Sequence, residues 1–116
     1  MEILKLNSIS SLANETLADY DVTDSAKSPV GILVRSFKMD EYALPESVVA
    51  IARAGAGVNN IPHAEYAKKG VAVFNTPGAN ANAVKELVIA ALIIGARNIV
   101  EATSWANTLK GDDVAK

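Results

Sequence analysis

The segment IARAGAGVNN, Ile51–Asn60, joins an apolar strand that ends on an arginine to a Gly-Ala-Gly loop almost devoid of side chains. A loop this bare leaves a main chain that another group can approach closely. Its reading sets the fold, because Val49 to Arg53 forms a strand, Ala54 to Pro62 a loop, and His63 to Lys69 a helix. Gly70 closes that helix as a C-cap, with two lysines in the last turn. Val71 to Phe74 is the next strand, and it breaks at Asn75-Thr76-Pro77-Gly78 into a second turn poor in side chains.

Upstream the same alternation holds. Ile3 to Leu6 is a short strand, and Ser8 to Ser11 supplies hydroxyl caps before Leu12, Ala13 and Leu17, which are spaced for one helix face. Tyr20 to Thr23 is a brief strand and Asp24 to Pro29 a polar connection. Val30 to Val34 is a wholly apolar strand of the kind buried on both faces. Met39 to Pro45 is a loop or a short helical turn, with Leu44, Val48 and Val49 as apolar anchors. Strands alternating with helices predict an α/β fold, a mostly parallel sheet covered on both sides, in the doubly wound flavodoxin-like order.

The bulk properties bound the function. A chain of 116 residues holds one ordinary domain. Its net charge of −2, with acidic and basic residues interspersed, offers no surface for a phosphate backbone, so nucleic acid is not an expected partner. No cysteine is present, which excludes disulfides and thiolate metal sites and fits a reducing interior. The amino terminus lacks the pattern of a signal peptide, and a cytoplasmic location is expected. The apolar run Leu87 to Ala96, roughly ten residues between Glu86 and Arg97, is about half of a membrane span and reads as a buried helix.

That run belongs to a long helix predicted from about Ala83 to Trp105, capped by Asn80 or Asn82. Leu87 to Ile94 carries no polar stripe, so the helix needs apolar cover all round, more than one small domain supplies. The polar tail from Asn107 to Lys116 ends without a strand or a cap, as in a fragment or a chain that pairs with another.

Ligands of open α/β sheets sit beyond the carboxyl ends of the strands. Two loops lie there. In Ala54-Gly55-Ala56-Gly57, consecutive N–H groups can form a concave donor set for a carboxylate or phosphate, or the glycines can serve a turn of positive φ that binds nothing. Arg53 can pair with a local carboxylate such as Glu65, or its planar fork can face an anion. Two anion-binding signals at one spot favour a site. The stretch is not G-x-G-x-x-G, so no dinucleotide fingerprint is present. His63, the single histidine, follows Pro62 in the first turn of a helix with no partner to orient it, and a structural place is expected. Asn59 and Asn60 are expected to hold the turn through bonds to their own backbone, and Glu86 to favour the long helix's positive end.

Arg53 to Ile61, followed by Gly70 to Glu86 with its Asn-Thr-Pro-Gly turn, resembles the amino-terminal part of the D-2-hydroxyacid dehydrogenases, and the likeness extends over essentially the whole chain. The resemblance implies a flavodoxin-like substrate-binding domain interrupted by a Rossmann domain that binds NAD. Residues 1–82 would then be a partial substrate domain, and residues 83–116 an interdomain helix and the start of a truncated cofactor domain. It further implies that Arg53 faces an anionic small-molecule substrate, that the N–H groups of Ala56 and Gly57 meet its carboxylate, and that Thr76 lies beside the cofactor. The family's G-x-G-x-x-G loop and its catalytic arginine, glutamate and histidine fall beyond the position of Lys116. The chain therefore carries no catalytic residue of its own, and it is expected to be inactive alone, to hold NAD weakly, and to need the rest of its chain. Homo-oligomerisation through the apolar helix is expected. Where the family has aspartate, this sequence has Asn59. The alternatives are a dehydrogenase of a different D-2-hydroxy acid and a free-standing, self-associating module whose glycine loops are only turns.

Overall fold

A computed structural model describes residues 1–109 of the chain. It divides into two compact units, Met1–Ala79 and Asn80–Lys116. The first holds five strands, β1 (Glu2–Leu6), β2 (Asp21–Thr23), β3 (Gly31–Val34), β4 (Ala50–Arg53) and β5 (Ala72–Phe74), and two short helices, α1 (Leu12–Thr16) and α2 (His63–Lys68). All neighbouring strands are parallel, in the order β2-β1-β3-β4-β5. This is the order predicted for a flavodoxin-like sheet.

Register decides what meets at the carboxyl edge. Ile32 pairs with Ile51 and Val34 with Arg53, while Ala52 pairs with Phe74, so β3, β4 and β5 end close together. Side chains alternate across the sheet. Ile32, Val34 and Ile51 face one side and are completely or almost completely buried with Met39, Val48, Ile61, Tyr66 and Val71. Burying each such side chain stabilises by about 1.5–3 kcal/mol, which makes this the principal core of the unit. Tyr66 donates its hydroxyl to the Met39 carbonyl at 3.0 Å, and burial, reinforced by the charges of Asp40 and Glu65, raises its pKa above the usual tyrosine value.

The other face is thinly covered, contrary to the expectation of a sheet wrapped on both sides. Leu33 and Ala52 point there, flanked by the five-residue α1 and by Ile9 and Leu17 at its two ends. A groove of about 290 Å³ remains, lined by Ile9, Ala13, Leu17, Leu33, Ala52 and Thr76 among others. The helix is too short to fill the width of the sheet.

Gly70 adopts a φ of 78° and ends α2 as predicted, its N–H donating to Ala67. The second unit departs from prediction. The single helix expected from Ala83 to Trp105 is two helices, α3 (Ala81–Ala96) and α4 (Ile99–Thr108). Asn98 sits between them in the left-handed region, at a φ of 48°. Asparagine tolerates that region better than other side-chain-bearing residues, and here it stands one position past the last helical turn, where such a residue stops a helix. The N–H groups of Arg97 and Asn98 close the turn on Ile93 and Gly95. Within this unit Leu87, Val88 and Leu92 stay exposed, so the apolar character read from the sequence is unspent in α3. No helix among the described residues is long and apolar enough to cross a membrane. The predicted end of the polar tail lies outside the described residues.

Candidate functional site

The loop after β4 shows why an arginine precedes two glycines. The Arg53 side chain folds back over its own loop: Nε donates to the Arg35 carbonyl at 3.0 Å, and Nη1 donates to the Gly57 carbonyl. A Cβ added at Gly55 would stand 3.3 Å from the guanidinium carbon, and one at Gly57 would stand 3.1 Å from Nη1. Both glycines leave room for the guanidinium. Neither has a positive φ, so the turn-geometry reading of this pair is corrected. The proposed pairing of Arg53 with Glu65 does not form either; the one ion pair among the described residues joins Lys5 to Asp24.

The donor set is narrower than four consecutive amides. Ala54 N–H is taken by Val34 O at 2.8 Å and Gly55 N–H by Arg53 O at 2.9 Å. Among the described residues, the N–H groups of Ala56 and Gly57 donate to nothing. Both residues are exposed. The turn after β5 packs against this loop: Thr76 N–H donates to Gly55 O at 3.0 Å, Asn75 Nδ2 donates to Ala56 O at 2.6 Å, and Thr76 Oγ1 lies 3.4 Å from Arg53 O. Arg53, Ala56, Gly57 and Thr76, four positions spread over two loops, are thus brought to one edge of the sheet. Chemically the edge offers free amide donors beside a permanent cation, a combination suited to a carboxylate or phosphate.

With this geometry in view, comparison with known proteins identifies the family. Residues 4–111 match the catalytic domain of the D-isomer specific 2-hydroxyacid dehydrogenases. The chain belongs to this family. It is 41% identical over 91 residues to the D-3-phosphoglycerate dehydrogenase of Methanocaldococcus jannaschii, covering 76% of this chain and 17% of that protein. To the D-3-phosphoglycerate dehydrogenase of Rattus norvegicus it is 29% identical over 114 residues, covering 96% of this chain and 21% of the relative. To the hydroxypyruvate reductase of Thermotoga maritima it is 47% identical over 53 residues, 46% of this chain and 17% of the relative. Among solved structures, the NAD+-bound 3-phosphoglycerate dehydrogenase of Entamoeba histolytica superposes with a TM-score of 0.67 at 32% identity, over 82% of this chain and 39% of that one. The chain spans about a fifth of the length of these curated relatives.

Within this dehydrogenase-family sheet, Asn60 in a role other than the expected one, together with Asn7 and Arg35, which sequence reading passed over, holds the edge together. Asn60 is buried and does not bond its own turn as predicted; its Nδ2 donates across the sheet edge to Phe37 O at 2.7 Å, and its backbone carbonyl accepts from Met39. Asn7, at a φ of 69°, accepts from Phe37 N–H at 2.8 Å and from Ser36 N–H at 3.3 Å. Arg35 follows an apolar strand as Arg53 does, and that shared pattern is the signal that could have found it. Its carbonyl holds Arg53, while its exposed guanidinium makes no ion pair among the described residues. His63 stands in the first turn of α2 with Nδ1 3.3 Å from Ile61 O, a local contact in keeping with a structural place.

Proposed function

We propose that this chain is the substrate-gripping part of an NAD-dependent dehydrogenase that oxidises 3-phospho-D-glycerate to 3-phosphohydroxypyruvate, the entry to serine biosynthesis. The observation that carries the proposal is the pair of free amides at Ala56 and Gly57 beside the Arg53 guanidinium. Of the five N–H donors on a guanidinium, two are engaged, and the other three remain for an anion. Because its plane is braced by two backbone carbonyls, the fork is oriented before substrate arrives, which lowers the ordering cost of binding. In this reading the amides of Ala56 and Gly57 take the substrate carboxylate, Arg53 neutralises its charge, and Arg35 is the second cation that a doubly anionic acid requires.

NAD, held by the rest of the protein, would supply the hydride acceptor for the carbon that bears the hydroxyl. Thr76 fits a place at the edge of the cofactor site: it is exposed at the end of β5, and its hydroxyl has only one long contact, to Arg53 O. The sequence holds no G-x-G-x-x-G cradle for a pyrophosphate, so Thr76 supplies one wall, and the remainder of the protein must hold the cofactor and the acid–base groups. The chain alone is then inactive.

A second reading, another 2-hydroxy acid as substrate, is favoured by the likeness to a hydroxypyruvate reductase. Turnover of 3-phospho-D-glycerate, D-glycerate and D-lactate by the whole enzyme separates the two. A preference for the phosphorylated acid is expected, and equal turnover of lactate and phosphoglycerate would refute the proposal.

A further inference from the structure

A trans peptide points its N–H opposite to its C=O, so anchoring a carbonyl on one side aims the following amide to the other. The loop after β4 has this arrangement at three successive peptides. Gly55 O is held by Thr76 N–H, Ala56 O by Asn75 Nδ2 and Gly57 O by Arg53 Nη1, and no peptide bond of the loop is cis. The first anchor is main chain and the third belongs to the proposed substrate-binding arginine. The middle one is a side chain with no assigned role.

We infer that Asn75 is a positioning residue: by holding the Ala56 carbonyl at 2.6 Å it fixes the Ala56–Gly57 peptide and keeps the Gly57 N–H directed away from the end of β5 as a ready donor. The inference rests on the reading that this amide meets the substrate carboxylate. Asn75 is exposed, so its place in the structure is not that of a core residue. Its amide spans from the end of one strand to the loop after the neighbouring strand, because Ala52 and Phe74 are in register and the two chains leave the sheet side by side. A glycine-rich loop loses more conformational freedom on ordering than any other, and Gly57 has no side chain to restrain it. An external clamp is therefore what turns a mobile peptide into a prearranged donor.

The test is ¹⁵N relaxation and titration on the 116-residue chain, comparing the native sequence with Asn75→Ala and with Asn75→Asp, which keeps the shape of asparagine and removes its N–H donor. The amides of Val34 and Ile51 report that the sheet is intact in each. The native chain is expected to show an order parameter at Gly57 N–H of about 0.85, falling below about 0.6 in both variants. With 3-phospho-D-glycerate as the probe, its dissociation constant, read from the Gly57 amide shift, is expected to rise about tenfold in Asn75→Ala, the effect of losing one hydrogen bond. An order parameter retained in both variants overturns the inference, and so does a disordered Gly57 with unchanged affinity. A native chain whose Gly57 amide ignores the probe while both variants lose order would instead remove the substrate reading and leave Asn75 as the clamp of this peptide.

Discussion

Replacing Arg53 with alanine separates its two duties, bracing the loop and facing an anion. In the ligand-free chain the substitution deletes the bonds to Arg35 O and Gly57 O. Hydrogen bonds from charged donors contribute about 1.5–3 kcal/mol each when well shielded. These lie at the solvent-facing edge, where water replaces the lost partner, so about 1 kcal/mol apiece is the fitting value and about 2 kcal/mol the total. Native-state hydrogen exchange of the Val34 and Ile51 amides, buried in the adjoining strands, reads that loss as roughly thirtyfold faster exchange. Arg53→Lys keeps the charge, but an ammonium is a compact point donor without the fork that spans two carbonyls. It is expected to recover about half of the loss. If Arg53 were only a charge waiting for substrate, both variants would exchange like the native chain; rates within twofold of native for Arg53→Ala would refute the bracing argument.

The remaining predictions concern other parts of the molecule. Gly57→Ala puts a methyl 3.1 Å from Arg53 Nη1 and 3.2 Å from Asn59 Oδ1, and should destabilise by about 1 kcal/mol; about half of that cost should vanish in the Arg53→Ala background, the contact with Asn59 remaining, as a double-mutant cycle by denaturant unfolding would show. The raised pKa of Tyr66 means that the folded state holds the phenolic proton more tightly than the unfolded chain does. The associated stability is whole below about pH 10 and is lost as pH rises through the folded value. Tyr66→Phe should flatten this alkaline decline, and it should cost about 1 kcal/mol at neutral pH through loss of the bond to Met39 O, measured by unfolding between neutral and strongly alkaline pH. Asn98→Gly should be neutral or slightly stabilising, whereas Asn98→Val should cost about 1–2 kcal/mol because a β-branched residue is strained at positive φ; thermal unfolding followed through Trp105 in α4 reads this unit directly.

How much of this was legible beforehand follows from the range of the interactions involved. The strands and α2 were readable because apolar runs such as Gly31–Val34 and Ala50–Arg53, and the Gly70 cap, are local patterns with local causes. The parallel pairing was readable from the strand–helix alternation, since parallel neighbours need crossover connections. The break at Asn98 was also written locally, as an asparagine after Gly95-Ala96-Arg97, but the unbroken hydrophobicity of the preceding turns masked it. The covering of the second sheet face was not legible, because it depends on how far the short α1 reaches across Leu33 and Ala52.

At the candidate site the sequence by itself determined the ingredients: a guanidinium at a strand end, a loop with few side chains, and a threonine turn one strand further on. Only the tertiary structure decided their use. It assigned Ala54 and Gly55 N–H to the protein's own hydrogen bonds and left Ala56 and Gly57 free, and it bent Arg53 over glycines that make room for it. It also drew in Asn60 and Asn75, whose partners lie 23 and 19 residues away along the chain. Composition and spacing report what a residue can donate or accept. Which partner it meets is set by the register of parallel strands, and that exists only once the sheet has formed.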